Sequence, residues 1–368
     1  MKTTAVFGGT FNPPHNEHIA ICQAVKSELG IDRIVVLPTS VPPHKSVGES
    51  QEDRLAMTRL CFDGTGVEID LYEQETAGVH YSVDTLRAMR AKYGDIVFVI
   101  GGDSAIDFFK WRQPEVILAE NKIAVCGRFG REKELDLAVS RMRAAGGDVA
   151  VLNFVGGNVS STMVRYAASL GVDMTKYVPA RVAEYIKAKG LYQNHKGLLD
   201  AVRARVDASR YAHTLRTAMK ALELNAGLGL DNEKVFLAAV LHDVGKNERV
   251  QGVPSDAVGS PVAHQFSGAV IAQRDFGIDD REILDAIACH TTGKPDMTAL
   301  DKLIFVADLV EDGRDYDEAA ELRSAVERDF EKGFRLVLER DYLHLQRSKG
   351  NIYHLTQKAY EFYNQKEI

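Results

Sequence analysis

"AVFGGTFNPPHNEH", residues 5–18, decides the fold of the first half of this chain. Apolar residues run up to Phe7, two glycines break the run, and two prolines lead into a segment carrying His15 and His18. A run that is apolar on both faces predicts a strand inside a parallel sheet. Gly8 and Gly9 let the backbone turn sharply and approach a ligand closely. Pro13 and Pro14 sit just before a helix, where a missing N–H costs little. His15 and His18 fall one turn apart, on one helix face. Free N–H groups and the helix dipole attract phosphate at such a start. Two imidazoles can donate hydrogen bonds to oxygens on which charge grows during phosphoryl transfer. The same letters also fit a plain turn, an H-x-x-H metal pair or surface histidines. They are not a Walker A loop, because the G-K-[ST] ending is absent.

Working outward, the first half alternates. The β-rich runs 3–8, 33–39, 95–101, 122–127 and 148–154 are separated by amphipathic runs at 15–29, 52–62, 82–92 and 133–145. That order predicts an α/β, Rossmann-like, doubly wound parallel sheet, with ligands at the carboxyl ends of its strands. From Leu198 onward the periodicity is helical, so the second half reads as all-α. The polar stretch "LYQNHKG" (191–197) is taken as the linker, giving domains 1–194 and 195–368.

The 368 residues are ample for two cores, and the net charge of −7 argues against a nucleic-acid partner. No stretch approaches the roughly 18–20 apolar residues of a membrane span. The four cysteines lie far apart and form no C-x-x-C pair, and the N-terminal segment does not read as a signal peptide. A cytoplasmic enzyme is the expectation, and a homo-oligomer is compatible with it.

With the motifs in view, "GGTFNPPHNEH" resembles the signature of the HxGH nucleotidyltransferase superfamily. Further segments resemble one branch, the bacterial nicotinate-mononucleotide adenylyltransferases. They are "LPTSVPPHK" (37–45), "YSVDTL" (81–86), "VIGGDSAIDFFKW" (99–111), "VSSTMVR" (159–165) and "YVPARVAEYIKAKGLY" (177–192). The resemblance implies that the phosphate of nicotinate mononucleotide attacks the α-phosphorus of ATP in line and pyrophosphate leaves. No covalent enzyme intermediate is needed, so catalysis is positioning and charge neutralisation. It implies His15 and His18 as catalytic residues, with Gly8, Gly9, Thr10 and Phe11 around the ATP phosphates. His44 and Lys45 would hold phosphates after the second strand. Asp103 would hold the adenosine ribose, and Ser161, Thr162 and Arg165 the pyrophosphate. Thr85 and Trp111 would recognise the nicotinate end, and Mg²⁺ would accompany ATP. Read alone, Trp111 also fits plain core, Ser161 and Thr162 fit helix caps, and Asp84 fits a helix start. Glu17 departs from the family's small residue between the two histidines, and a carboxylate beside a polyphosphate is unfavourable unless it points away.

The second half holds "LHDVG" (241–245) after seven apolar residues, Val235 to Leu241. An H-D pair alone is a weak signal and fits a helix-end polar pair. His213, His264, His290 and Asp308 change that, because polar groups near apolar helix runs need partners. Four imidazoles and two carboxylates form a mixed N and O set that suits Fe or Mn better than a thiolate-type zinc site, and they suffice for two divalent metals. Two such ions can polarise a phosphate and acidify a water between them.

The order H…HD…H…H…D resembles the HD-domain phosphohydrolases. "RYAHTLR", "HDVGK", "HTTG" and "ADLVE" resemble one branch, the symmetrical diadenosine tetraphosphatases. That resemblance implies cleavage of diadenosine tetraphosphate (Ap4A) to two ADP, with catalytic Asp243 bridging the ions. His213, His242, Asp243 and Asp308 would hold one metal, and His264, His290 and Asp243 the other. Lys246, Thr291 and Arg314 would face phosphates. The expected partners are therefore ATP, nicotinate mononucleotide and Ap4A. A nucleotide-sensing HD module, or one cleaving other nucleotides, is the alternative.

Overall fold

The computed structural model describes residues 3–40, 48–76, 78–128, 130–157, 159–348 and 352–364. The chain forms two compact units, Met1–Gln193 and Asn194–Ile368.

The first unit is built on six parallel strands: β1 Thr4–Gly9, β2 Arg33–Pro38, β3 Glu68–Ile69, β4 Ile96–Ile100, β5 Lys122–Arg128 and β6 Val149–Gly156. Their order is β3-β2-β1-β4-β5-β6, the doubly wound arrangement. The order reverses between β1 and β4, so the crevice at their carboxyl ends is where a ligand fits such a sheet. β4, "IVFVI", is buried along its whole length, as a strand covered on both faces must be. One core cluster joins Val6, Phe98, Ile100, Phe108, Ile123 and Val125 to the helix Ser82–Tyr93 through Leu86 and Met89. The expected strands and helices are present within a residue or two. The two-residue β3 has no sequence signal of its own and pairs with β2 through Val35 and Val36.

The second unit is helical. Its centre is five helices: Ala208–Leu228, Asn232–Leu241, Ala263–Phe276, Arg281–Cys289 and Ala299–Val310. Asp231 caps the second of them through the N–H groups of Glu233 and Lys234. Ala238 to Leu241 are fully buried, and the apolar run ends where the helix does: His242 is the C-cap and Asp243 begins the turn. Gly245 then lets this turn sit against the helix Ala263–Phe276. A Cβ there would overlap the backbone of Ser267 and Gly268 and lie 2.8 Å from the carbonyl of His264. Among the described residues no helix is long and apolar enough to cross a membrane.

Candidate functional site

In the first unit, β1 ends in Gly8 and Gly9, and the following segment runs through Thr10 to the helix Asn16–Leu29. Phe11 adopts φ 47° and is 2% exposed. Its ring packs edge-on against Phe7, His18 and Phe62, so it lies in the core beneath the histidines. A Cβ on Gly9 would come within 2.9 Å of that ring, which is why glycine is required there.

His15 and His18 lie against each other with ring centroids 3.7 Å apart and planes inclined at 35°. The backbone N–H of His15 donates to Nδ1 of His18 at 3.0 Å. Nδ1 of His18 is thereby an acceptor, which leaves the ring proton on Nε2. Burial lowers the His18 pKa to about 3, so at neutral pH the ring is an uncharged N–H donor.

The helix Ser161–Leu170 and the residues just before it are stitched to the same place. Ser161 Oγ donates to Pro13 O at 2.8 Å, and Arg165 Nη1 donates to Asn12 O at 2.8 Å. Arg165 Nη2 reaches Thr162 Oγ1 at 2.9 Å. Ser160 serves as the N-cap, accepting from Met163 N–H, so Ser161 and Thr162 are not the cap. Glu17 Oε1 accepts the N–H of Val159 at 3.0 Å. Gly156 leaves room for it, since a Cβ there would lie 2.8 Å from Glu17 Oε2. The carboxylate is therefore engaged by backbone.

Other expected residues sit around β4 and the helix Ser82–Tyr93. Thr85 is buried and donates Oγ1–H to Glu73 at 2.8 Å, a partner with no motif signal. Asp103 follows β4, is exposed, and pairs with Arg131 at 3.0 Å. Trp111 packs on Phe98 and Phe108, with centroids at 6.1 and 5.3 Å, and remains half-buried. It thus has one face in the core and part of its surface open. His44 and Lys45 lie outside the described residues.

In the second unit the six expected ligands converge. His213 Nε2 is 2.9 Å from Asp308 Oδ1 and 3.4 Å from His242 Nε2. Asp243 faces two ways: Oδ2 lies 3.7 Å from His242 Nε2, while Oδ1 lies 3.3 Å from His264 Nε2 and 3.6 Å from His290 Nε2. Two triads, His213–His242–Asp308 and His242–Asp243–His290, each bring their ligand atoms within 4.8 Å of one another. His264 joins them through Asp243 and through His290, at 3.2 Å between Nε2 atoms.

Every imidazole is oriented by its other nitrogen. Nδ1 of His242, His264 and His290 lies 2.6, 2.7 and 2.8 Å from the carbonyls of Ala239, Pro261 and Ile287, each three residues back. Nδ1 of His213 instead meets Glu311 Oε1 at 3.1 Å. All four Nε2 atoms face the cluster, as ligation of a cation from this side would need. Burial holds His242 near about 4 and His264 near about 3, so both rings are neutral and able to ligate. Burial opposes the charge on Asp243, but His242, His290 and Lys246 outweigh it and keep the carboxylate below its usual range. This N and O donor set fits divalent cations.

Cations and one hydroxyl border the cluster. Lys246 Nζ is 3.2 Å from His264 Nε2, Arg314 Nη2 is 2.7 Å from Asp308 Oδ1, and Thr291 Oγ1 is 3.0 Å from His264 Nε2. Arg210 Nη1, at 2.6 Å from Asp243 Oδ2, was not among the expected site residues. Its place three residues before His213 on one helix face was the available signal. Gln265 is also new. It is fully buried, and its Oε1 accepts the N–H groups of Thr291 and Thr292, fixing the turn after His290.

Residues 6–167 match the cytidylyltransferase-like family, and residues 210–312 match the HD domain. A nicotinate-nucleotide adenylyltransferase of Chlorobium luteolum, named as probable, is 36% identical over 197 residues, covering 51% of this chain and 97% of the relative. The chain belongs to the nicotinate-nucleotide adenylyltransferase family. Another relative in this family, likewise named as a probable nicotinate-nucleotide adenylyltransferase, comes from Thermosipho melanesiensis. It is 31% identical over 187 residues, or 50% of this chain and 95% of its own length. These adenylyltransferase matches span about half of the chain, and the family domain is fused to a helical HD domain. Among solved structures, a "predicted HD superfamily hydrolase involved in NAD metabolism" from Clostridium acetobutylicum is 25% identical. It covers 47% of this chain and 98% of its own, with a TM-score of 0.43.

Proposed function

We propose that the first unit transfers AMP from ATP to nicotinate mononucleotide, giving nicotinate adenine dinucleotide and pyrophosphate, and that the HD unit hydrolyses Ap4A symmetrically to two ADP. In the first reaction a phosphate oxygen of the mononucleotide bonds to the α-phosphorus as the bond to the β-phosphate oxygen breaks. His18, as a neutral Nε2–H donor, hydrogen-bonds the transferring phosphate, with His15 beside it. Gly8, Gly9, Thr10 and Phe11 shape the turn around the ATP phosphates, Phe11 by holding His18 from beneath. Ser161, Thr162 and Arg165 fix that turn and face the pyrophosphate, with His44 and Lys45 as further phosphate contacts. Asp103 holds the ribose, while Thr85 and the open part of Trp111 take the nicotinate end. Mg²⁺ with ATP supplies further charge neutralisation. The observation that carries this reading is the stitching of Asn12 and Pro13 to Ser161 and Arg165 around the two histidines, in a chain of this family.

In the HD unit, His213, His242, Asp243 and Asp308 would hold one divalent cation, and His264, His290 and Asp243 a second. Fe or Mn, when bound, would polarise a phosphate and acidify a water. Lys246, Thr291 and Arg314 bind the phosphate chain. Hydrolysis at the central anhydride breaks one P–O bond and adds one water, leaving two ADP. The two-sided engagement of Asp243 by His242 and by His264 and His290 carries this reading. A nucleotide bound without turnover would instead mark the HD unit as a sensor.

Product analysis on the purified, metal-quantified chain tests both halves. ATP with nicotinate mononucleotide should yield the dinucleotide and pyrophosphate. Ap4A should yield ADP alone. Formation of ATP and AMP from Ap4A would contradict symmetric cleavage, and no dinucleotide from the first mixture would contradict the transferase.

A further inference from the structure

Arg54 projects from the helix Gln51–Phe62, is 2% exposed, and ends on three backbone carbonyls. Nη1 donates to Thr10 O at 2.9 Å and to Thr39 O at 2.8 Å, and Nη2 donates to Ser40 O. Among the described residues no carboxylate pairs with it, and its buried Nε finds no acceptor. Burial pulls its pKa below the ordinary arginine value. A buried charge without a counter-charge is costly, so its place needs a reason beyond filling space.

The three carbonyls supply one. Thr10 opens the segment between β1 and His15. Thr39 and Ser40 follow β2 and lead into the stretch holding His44 and Lys45. Thr39 N–H also donates to Gly9 O at 2.9 Å, so the two segments are cross-linked at their roots. A carbonyl oxygen facing a polyphosphate repels it, whereas one bonded to a guanidinium is neutralised. A planar fork can reach several carbonyls at once, which an ammonium on a single point cannot do as well.

We infer that Arg54 is a positioning residue for adenylyl transfer, holding the segments after β1 and β2 in register and neutralising three of their carbonyl oxygens beside the polyphosphate chain of ATP. This rests on the transferase reading above. Arg54 touches neither substrate. It acts through the backbone of Thr10, Thr39 and Ser40.

Binding constants for pyrophosphate and for adenosine, measured directly on the full chain, test it. Arg54→Met should weaken pyrophosphate by roughly tenfold or more while adenosine stays within about twofold. Arg54→Lys should fall between Arg54→Met and the parent, because it restores charge without the fork. A strut with only a structural role would weaken both probes together, and an idle residue would change neither. Either result overturns the inference. Should Arg54→Met fail to fold, Arg54→Lys carries the same comparison. A parent chain that binds both probes in the expected pattern yet makes no dinucleotide overturns the reaction and not the role of Arg54.

Discussion

Nδ1 of His213 lies 3.1 Å from Oε1 of Glu311, whereas Nδ1 of each of the other three clustered histidines meets a backbone carbonyl. Glu311 is 1% exposed and is itself held by Arg216 Nε at 2.6 Å. A carboxylate orients the ring more firmly than a carbonyl and makes Nε2 a stronger ligand. Glu311→Gln should therefore weaken metal binding by about 10–100-fold with the helices intact. Metal content after dialysis against a graded chelator checks this. An unaltered metal content would reduce Glu311 to a structural strut.

His18→Ala removes the neutral Nε2–H donor and should lower the transferase rate by roughly 10²–10³-fold. Ap4A hydrolysis should stay at the parent level, because the residues of that site belong to the other unit. Full transferase activity in a folded His18→Ala chain would remove His18 from the reaction.

The pKa of His18 in the folded chain, lowered by burial to about 3, lies below its ordinary value of 6.5. Between those values the unfolded chain binds the proton and the folded chain does not, so stability falls as pH falls through that window. Urea midpoints between pH 7 and pH 5 should drop less steeply for His18→Gln than for the parent. Parallel slopes would mean that His18 titrates normally in the fold.

Much of this is legible in the sequence, for reasons particular to each residue. The apolar runs of β1, β2, β4, β5 and β6 are long and buried, so their period carried the sheet. His213, His242, Asp243, His264, His290 and Asp308 end or interrupt apolar helix faces, which made them conspicuous as a set. Arg54 and Glu73 had no such contrast. Each sits among ordinary polar helix residues, and only tertiary packing reveals that one meets three carbonyls and the other meets Thr85. The pairing of Arg210 with Asp243 likewise depends on the approach of two helices that the spacing did not define. Glu17 looked misplaced beside a phosphate site because its acceptor role toward Val159 depends on a segment 142 residues away.

Glu17→Gly should cost about 1–2 kcal/mol by leaving the Val159 N–H without its partner. A urea titration reads that loss. KM for ATP should remain within about twofold, because the carboxylate is turned toward the Val159 N–H and Gly156. A clear drop in KM would show instead that Glu17 faces the polyphosphate.

The most direct test of two separate chemistries in one chain is a paired assay of Asp243→Ala, with metal content and circular dichroism measured on the same sample. The expected result is a folded protein depleted of HD-site metal that produces no ADP from Ap4A, yet forms nicotinate adenine dinucleotide from ATP and nicotinate mononucleotide at close to the parent rate. Loss of both activities in a folded Asp243→Ala chain, or persistence of Ap4A hydrolysis at the parent rate, would contradict it.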